Sequence, residues 1–446
     1  MPQLYHNDIY KFEKPIKSYW EETCVNLKKP FKTINSDFNT NIVIIGAGYT
    51  GLSCAIHLAK KYNEDVTLLE AGHIGWGSSA RNAGFCCIPP TKLSTSKIIK
   101  NYGIKEAKKF YSNTIDGSNF TKSLIEENKI DCDLTGDRNF EIAHHPKSFK
   151  DLKEEASIYQ NEFNIETEIY SKKEFEEIGH SGQEQFGAFS YKPGFAINPL
   201  KFVLGLAKLA IKSGVKIYEN NPVIKIEKKE NRYKVITKEG SIKAKKIVIA
   251  TNGFYKDDLV PQLNDRILPA ISNIIVTRPL TQEEINAHGF KTHNPILNSR
   301  KLLYYYRLLK DNRFLFGARG DLIGSDESSL RMANKMEKQM KFIFPHWFNV
   351  NIDYSWRGLV AMTNKLSPSI GKIEGDEIYY SFGYHANGVN TAPWAGKELA
   401  NLMVGSNSKQ LQISKLYLGL PSKFILPSMR LLYLKIAYFY YSLIDR

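Results

Sequence analysis

The chain has 446 residues, too many for one ordinary core, and its 42% hydrophobic content suits a large buried interior divided over two or three domains. Its formal charge of +15 is spread through a lysine-rich composition, which reads as a solvated surface; acidic substrates, RNA or anionic lipid are the partners such a field attracts. Cys24, Cys54, Cys86, Cys87 and Cys132 form no CxxC pair, which excludes a zinc site and fits a reducing compartment, and no apolar run reaches the ~18 residues of a spanning helix.

Residues 1–40 are polar and aromatic, with Pro15 and Pro30, and read as an arm or short helices packed on the main body. They show no basic region followed by an apolar core, so no secretory signal is expected and a cytoplasmic protein is the default. Residues 41–70 then read as strand, glycine turn, helix, strand and acid. The apolar run 42–45 leads into Gly46, Ala47, Gly48, Tyr49, Thr50 and Gly51, a helical pattern follows, and the run 66–69 ends at Glu70. Gly46 permits a sharp turn, Gly48 a close approach of pyrophosphate to the backbone, and Gly51 tight helix–strand packing. The free N–H groups and positive end of the helix face the phosphates, and an acid ~20 residues on accepts hydrogen bonds from a ribose. Ala71 begins a glycine-rich loop through Ser78, Ser79, Arg81, Asn82, Ala83 and Gly84, which is expected to run along the same ligand with its amides free.

From 96 to 183 the pattern is mostly helical and reads as an inserted cap segment. Pro199 starts a helix that Gly214 breaks. Strands are predicted at 223–226, beginning at Val223, at 233–237 and at 247–250, the last running from Ala250 into Thr251 and Asn252. Residues 261–354 alternate in strand fashion, notably at 302–309 and 313–317, with a helix at 326–344. At 377–402 a strand, a turn holding Gly383, His385, Asn387 and Gly388, and a helix from Val389 repeat the opening logic; a helix dipole aimed at an electron-accepting ring stabilises its reduced, anionic form. The stretch 429–445 is aromatic and leucine-rich. It reads as a docked helix covering apolar surface, with a membrane-interface helix as the alternative.

The motifs at 46–51 with Glu70, at 78–84, at 250–253 and at 383–388 together resemble the D-amino-acid-oxidase-like family of FAD-dependent amine oxidoreductases. Ser18, Tyr19 and Trp20, the stretch 305–307 followed by 313–317, and the stretch 356–363 resemble its gamma-glutamylputrescine oxidase branch. The resemblance implies an α/β fold with a split Rossmann-type FAD-binding domain (41–95, 184–260 and 355–420) and a discontinuous α+β substrate domain (96–183 and 261–354), between an arm at 1–40 and a helix at 421–446. It implies FAD as the cofactor and hydride transfer from the C–N bond of a small amine or amino acid, with oxygen or an electron carrier as acceptor. Arg81 stands where members that tether FAD carry histidine, and no late cysteine is present, so noncovalent FAD is expected. His385, Ala386 and Asn387 depart from the branch's Ser-Gly-His at the turn that would face the flavin.

For chemistry, Arg307 is the candidate to grip a substrate carboxylate, the alternative being a strand-surface arginine in a salt bridge. Tyr305 and Tyr306 alternate on a strand, so one of the two faces the site. His385 is placed to tune the ring or touch substrate. No metal constellation is expected. Two rival readings use the same fold: a flavoenzyme acting on a modified tRNA uridine side group, motivated by charge alone, with no basic stripe and so no nucleic acid expected; and a membrane-surface electron-transferring dehydrogenase, motivated by the last helix.

Overall fold

In the computed structural model, which describes residues 4–27, 31–405 and 412–445, two large sheets meet at one cavity. Pro30 lies outside the described residues.

The first sheet has six strands, in the order Ser369–Lys372, Ile378–Phe382, Lys246–Ile249, Ile42–Ile45, Val66–Leu69 and Lys216–Tyr218. All its pairs are parallel except that of the edge strand Ser369–Lys372. Ile42–Ile45 and Val66–Leu69 are buried at every residue, as parallel strands covered on both faces require. Alternation then decides which layer each side chain joins. Ile42 and Ile44 pack toward the helical layer, which contains Tyr49–Tyr62 and Gly388–Val404; Val43 and Ile45 pack toward a four-stranded sheet through Val235 and Ile242. The arm supplies an edge strand to that smaller sheet, Phe38–Asn39 beside Ser241–Ala244, an addition to the arm or short helices expected there.

The second sheet has eight strands, in the order Ile352–Met362, Leu268–Pro279, Arg313–Arg319, Tyr305–Leu308, Ile296–Asn298, Asn139–Ile142, Ala188–Tyr191 and Thr167–Tyr170. The parallel pair of Ile296–Asn298 with Asn139–Ile142 joins the two sequence segments. Its back is closed by the helix Asp326–Ile343 through Met332, Met336 and Met340. Its front faces the cavity.

Residues 96–183 are mostly helical, as the pattern predicts, with two short strands, Asn139–Ile142 and Thr167–Tyr170, between the helices. Two expectations are corrected here. The helix Ile104–Glu127 packs against Gly388–Val404, where Asn390 Nδ2 donates to Thr114 O at 2.9 Å and Thr121 Oγ1 to Val389 O at 3.2 Å, so it leans on the nucleotide-binding layer. The strands Ala188–Tyr191 and Ile352–Met362 belong to the eight-stranded sheet, so the expected boundaries at 184 and 355 assign to the FAD segments residues that pair with the other sheet.

Candidate active site

The C-terminal ends of the parallel strands open into a cavity of about 1260 Å³, above the ~300–1,000 Å³ common for small-molecule sites. The expected residues Gly46, Ala47, Gly48, Thr50, Glu70 and Ala71 line it from the first strand–helix–strand unit. Gly46 turns with φ +106°, and a Cβ there would meet Ala250 O at 2.8 Å. A Cβ on Gly51 would lie 1.9 Å from Gly46 O, so Gly51 serves packing and does not itself line the cavity. Glu70 accepts from Ala47 N at 2.9 Å and from Gly72 N at 3.2 Å, and burial raises its pKa.

Ser78, Ser79, Arg81, Asn82 and Ala83 line the next stretch of wall. Asn82 staples this loop: its Nδ2 donates to the carbonyls of Ser78 and Ser79, both at 3.0 Å, and its Oδ1 accepts from Gly84 N at 2.7 Å. The arm reaches the same loop through Trp20, whose Nε1 donates to Asn82 O at 3.0 Å. Arg81 Nε donates to Trp76 O at 2.6 Å and its guanidinium lies 4.1 Å over the Trp76 ring; burial, with Arg357 nearby, lowers its pKa to about 9. Val223, Ala250, Thr251 and Asn252 also line the cavity. Val223 precedes the strand Lys225–Lys229 instead of starting it.

The turn after Ile378–Phe382 completes this side with His385, Asn387, Gly388 and Val389. Gly383 itself stays outside the wall and donates through its N–H to Asn252 Oδ1 at 2.9 Å. His385 and Ala386 both have positive φ, 50° and 83°, conformations that non-glycine residues hold only when their surroundings impose them. His385 is fully buried, its Nε2 3.2 Å from Thr363 Oγ1, and burial, then Lys92 and Arg319, holds it neutral well below the ordinary histidine pKa. The helix Gly388–Val404 starts at Asn387 without a side-chain cap, so its first amides and positive dipole end stand at the cavity.

These residues fit a dinucleotide. His385 Nδ1 and Thr251 Oγ1 are buried in the wall without a hydrogen-bond partner. A Cβ on Gly48 would lie 2.7 Å from Ser79 Oγ, so the close approach there depends on glycine.

The eight-stranded sheet supplies the opposite wall. Of the two candidate tyrosines, Tyr305 faces the cavity and Tyr306 the core behind the sheet, where its hydroxyl meets His180 Nε2 at 3.0 Å. Arg307 returns to the face of Tyr305 but lies beyond the wall, and this corrects its expected carboxylate role. One of its terminal nitrogens donates to Ile197 O at 2.7 Å, and its guanidinium lies 5.5 Å from the Trp20 ring and 5.7 Å from Phe85. Gly84 backs it: a Cβ there would meet Ile197 O at 1.9 Å and the guanidinium at 3.2 Å, so Gly84 is structural and also outside the wall.

Charged residues missed in the sequence stand in the wall instead: Arg319, Lys92, Glu141 and Glu155. Arg319 had a signal, lying two residues beyond Gly317 on an alternating strand. Lys92 had none. Tyr305, Leu297 and Glu141 form one registered row across three strands, which puts Glu141 two strand spacings, ~10 Å, from Tyr305. Burial, with Glu155 close by, raises the pKa of Glu141. Lys92 is exposed to the water of the cavity, and enclosure by the wall, then Arg319, lowers its pKa.

The family model for FAD dependent oxidoreductases matches residues 41–402. Over 412 residues the chain is 30% identical to the probable oxidoreductase OrdL of Haemophilus influenzae, which covers 90% of this chain and 91% of that protein. It is also 30% identical over 388 residues to the gamma-glutamylputrescine oxidoreductase of Escherichia coli, 87% of this chain and 89% of that one. The solved structure of a glycine oxidase from Bacillus cereus is similar with a TM-score of 0.66 over 87% of this chain and 99% of the other, at 21% identity, which shows a common fold.

Proposed function

The chain belongs to the family of FAD-dependent oxidoreductases, and from that premise we propose that it oxidises the carbon–nitrogen bond of a small amine or amino acid, with gamma-glutamylputrescine-like and sarcosine-like compounds as the first candidates. Oxygen or an electron carrier is the acceptor in this reading. The observation that carries it is the cavity at which four distant stretches, beginning at Gly46, Ser78, Ala250 and His385, face a sheet bearing both acidic and basic side chains. Bound FAD supplies the hydride acceptor.

The chain's own residues bind the amine, orient it and manage its proton. The Tyr305 hydroxyl and Ser272 Oγ, 2.8 Å apart in the wall, form a paired hydrogen-bonding post. Arg319 offers a guanidinium to a substrate carboxylate. Glu141 and Glu155, whose pKa values burial raises, offer carboxyl groups as hydrogen-bond partners to the substrate nitrogen. A hydride leaves the carbon beside nitrogen only when that nitrogen is uncharged, so the cavity needs groups that exchange a proton near neutrality. Glu141, raised by burial beside Glu155, and Lys92, lowered by the enclosing wall, are both shifted in that direction. His385 is uncharged there; the positive potential comes from Lys92, Arg319 and the helix end at Gly388, which favours added negative charge beside it.

Anaerobic mixing with gamma-glutamylputrescine, sarcosine, dimethylglycine, glycine and D-amino acids tests the reading. Bleaching of the bound flavin by at least one of these amines is expected, and no bleaching by any of them defeats the proposal. Admitting air afterwards separates the acceptors, since rapid return of the oxidised spectrum identifies oxygen and its persistence in the reduced form an electron carrier.

A further inference from the structure

The last helix, Arg430–Ile444, is docked by one face only. Arg430 pins its start: Nε donates to Pro427 O at 2.9 Å, and the terminal nitrogens to Ile267 O at 2.8 Å and Asp257 Oδ2 at 3.0 Å, with Asp265 Oδ1 at 3.5 Å. Leu434 packs on Leu268 and Ala270. At its far end Asp445 accepts from the amides of Lys301 and Leu302 at 2.7 and 2.8 Å, and Tyr440, Tyr441, Ile444 and Asp445 line the cavity.

The opposite face is apolar and open. Met429, Leu432, Ile436, Phe439 and Leu443 recur at the three-to-four spacing of one helical stripe, with Phe439 exposed at 69% and Ile436 at 57%. The preceding loop adds Ile425, exposed at 80%. An ordinary surface helix presents charge on this face. Here residues 421–444 contain no aspartate or glutamate, and their charged groups are Lys423, Arg430 and Lys435. The acids beneath, Asp257 and Asp265, are already engaged by Arg430. An open stripe of leucine, isoleucine and aromatic rings, flanked by exposed lysines without a competing acid, has the chemistry of a helix lying in a lipid headgroup layer. Among the described residues no helix is long and apolar enough to cross a membrane.

We propose that this face is a membrane-interface anchor. The helix lies flat on an anionic bilayer, with Leu432, Ile436, Phe439 and Leu443 at the acyl boundary and Lys423 and Lys435 among the headgroups. Charge complementarity selects lipid over a second copy of this chain, because the +15 net charge of each copy opposes the other. The anchored helix also walls the cavity, so docking holds the reaction site next to the bilayer.

Flotation of the full FAD-loaded chain with phosphatidylcholine–phosphatidylglycerol vesicles, against phosphatidylcholine alone, tests the proposal without reference to which amine is oxidised. The chain is expected to float with the anionic vesicles and to release as salt is raised. Phe439→Glu is expected to cut the bound fraction about tenfold or more, and Lys435→Glu to weaken binding to anionic vesicles, both with an unchanged melting temperature because both side chains are exposed. No flotation of the parent chain, or equal flotation of Phe439→Glu, overturns the proposal. So does a dimer in analytical ultracentrifugation that Phe439→Glu dissolves, which would mean that a second copy covers the face.

Discussion

The hydroxyl of Tyr305 meets Ser272 Oγ at 2.8 Å across an intervening strand, because that strand carries Gly317 where the tyrosine ring crosses it. A Cβ on Gly317 would lie 1.9 Å from the ring, so the post exists only with glycine beneath it. Gly317→Ala is expected to expel Tyr305, to cost ~1–3 kcal/mol as an overpacked core does, and to raise the KM of the amine. In a Tyr305→Ala background the same substitution should cost much less. A double-mutant cycle on melting temperature checks this, and equal costs in both backgrounds would show that the ring does not bear on Gly317.

Arg307 and Arg319 should separate cleanly. Arg307 donates to Ile197 O outside the wall, whereas Arg319 stands in it. Arg307→Met is expected to leave the KM of a carboxylate-bearing amine nearly unchanged. Arg319→Met should raise it ~10–100-fold, the equivalent of the ~1.5–3 kcal/mol of a hydrogen bond to a charged group. Steady-state kinetics on both variants decide, and the reverse pattern would restore Arg307 as the carboxylate grip.

The contrast between those arginines shows what the sequence could reveal. The unit at residues 41–70 was legible because its parts are contiguous: strand, turn, helix and acid each carry a local signal, and the family match over 41–402 bears out the resemblance read from it. Alternation required one of Tyr305 and Tyr306 to face inward, and Tyr305 lines the cavity. It could not say where along the strand the cavity ends. That is set by the registers Tyr305 with Gly317 and Ser272 with Arg319, which arise between segments far apart in the chain. For the same reason the strand Asn139–Ile142 was hidden among helices: four residues give little periodicity, and one of its two partners, Ile296–Asn298, lies more than 150 residues away. For the last helix the sequence offered both a docked face and a membrane interface, since an apolar stripe does not tell which half of it finds a partner.

Glu70 holds two backbone N–H groups, those of Ala47 and Gly72. Glu70→Ala leaves both without this acceptor and removes the acid from the cavity wall, so FAD affinity should fall by ~1–3 kcal/mol, about tenfold to a hundredfold. Glu70→Gln keeps an acceptor oxygen and should lie between. Fluorescence titration of apoprotein with FAD checks the order. An affinity for Glu70→Ala within a factor of two of the parent would show that this carboxylate does not act on the cofactor.

His180 should give the fold a measurable acid weakness. It is fully buried behind the eight-stranded sheet, its Nδ1 3.1 Å from Ser181 O and its Nε2 3.0 Å from the Tyr306 hydroxyl, and burial lowers its pKa to about 4. The neutral ring fits those partners as donor at Nδ1 and acceptor at Nε2. An unfolded chain binds a proton near the ordinary histidine pKa of ~6.5 while the folded ring refuses it. The unfolded state therefore holds more protons in that interval, and stability falls as pH drops from ~6.5, by up to ~1.4 kcal/mol per pH unit for this one group, levelling off once the folded ring also titrates. Denaturant midpoints measured across that range should show the decline, and His180→Gln should lower overall stability yet flatten the slope by one proton's worth. A slope untouched by the substitution would mean that the ring is already charged in the folded protein.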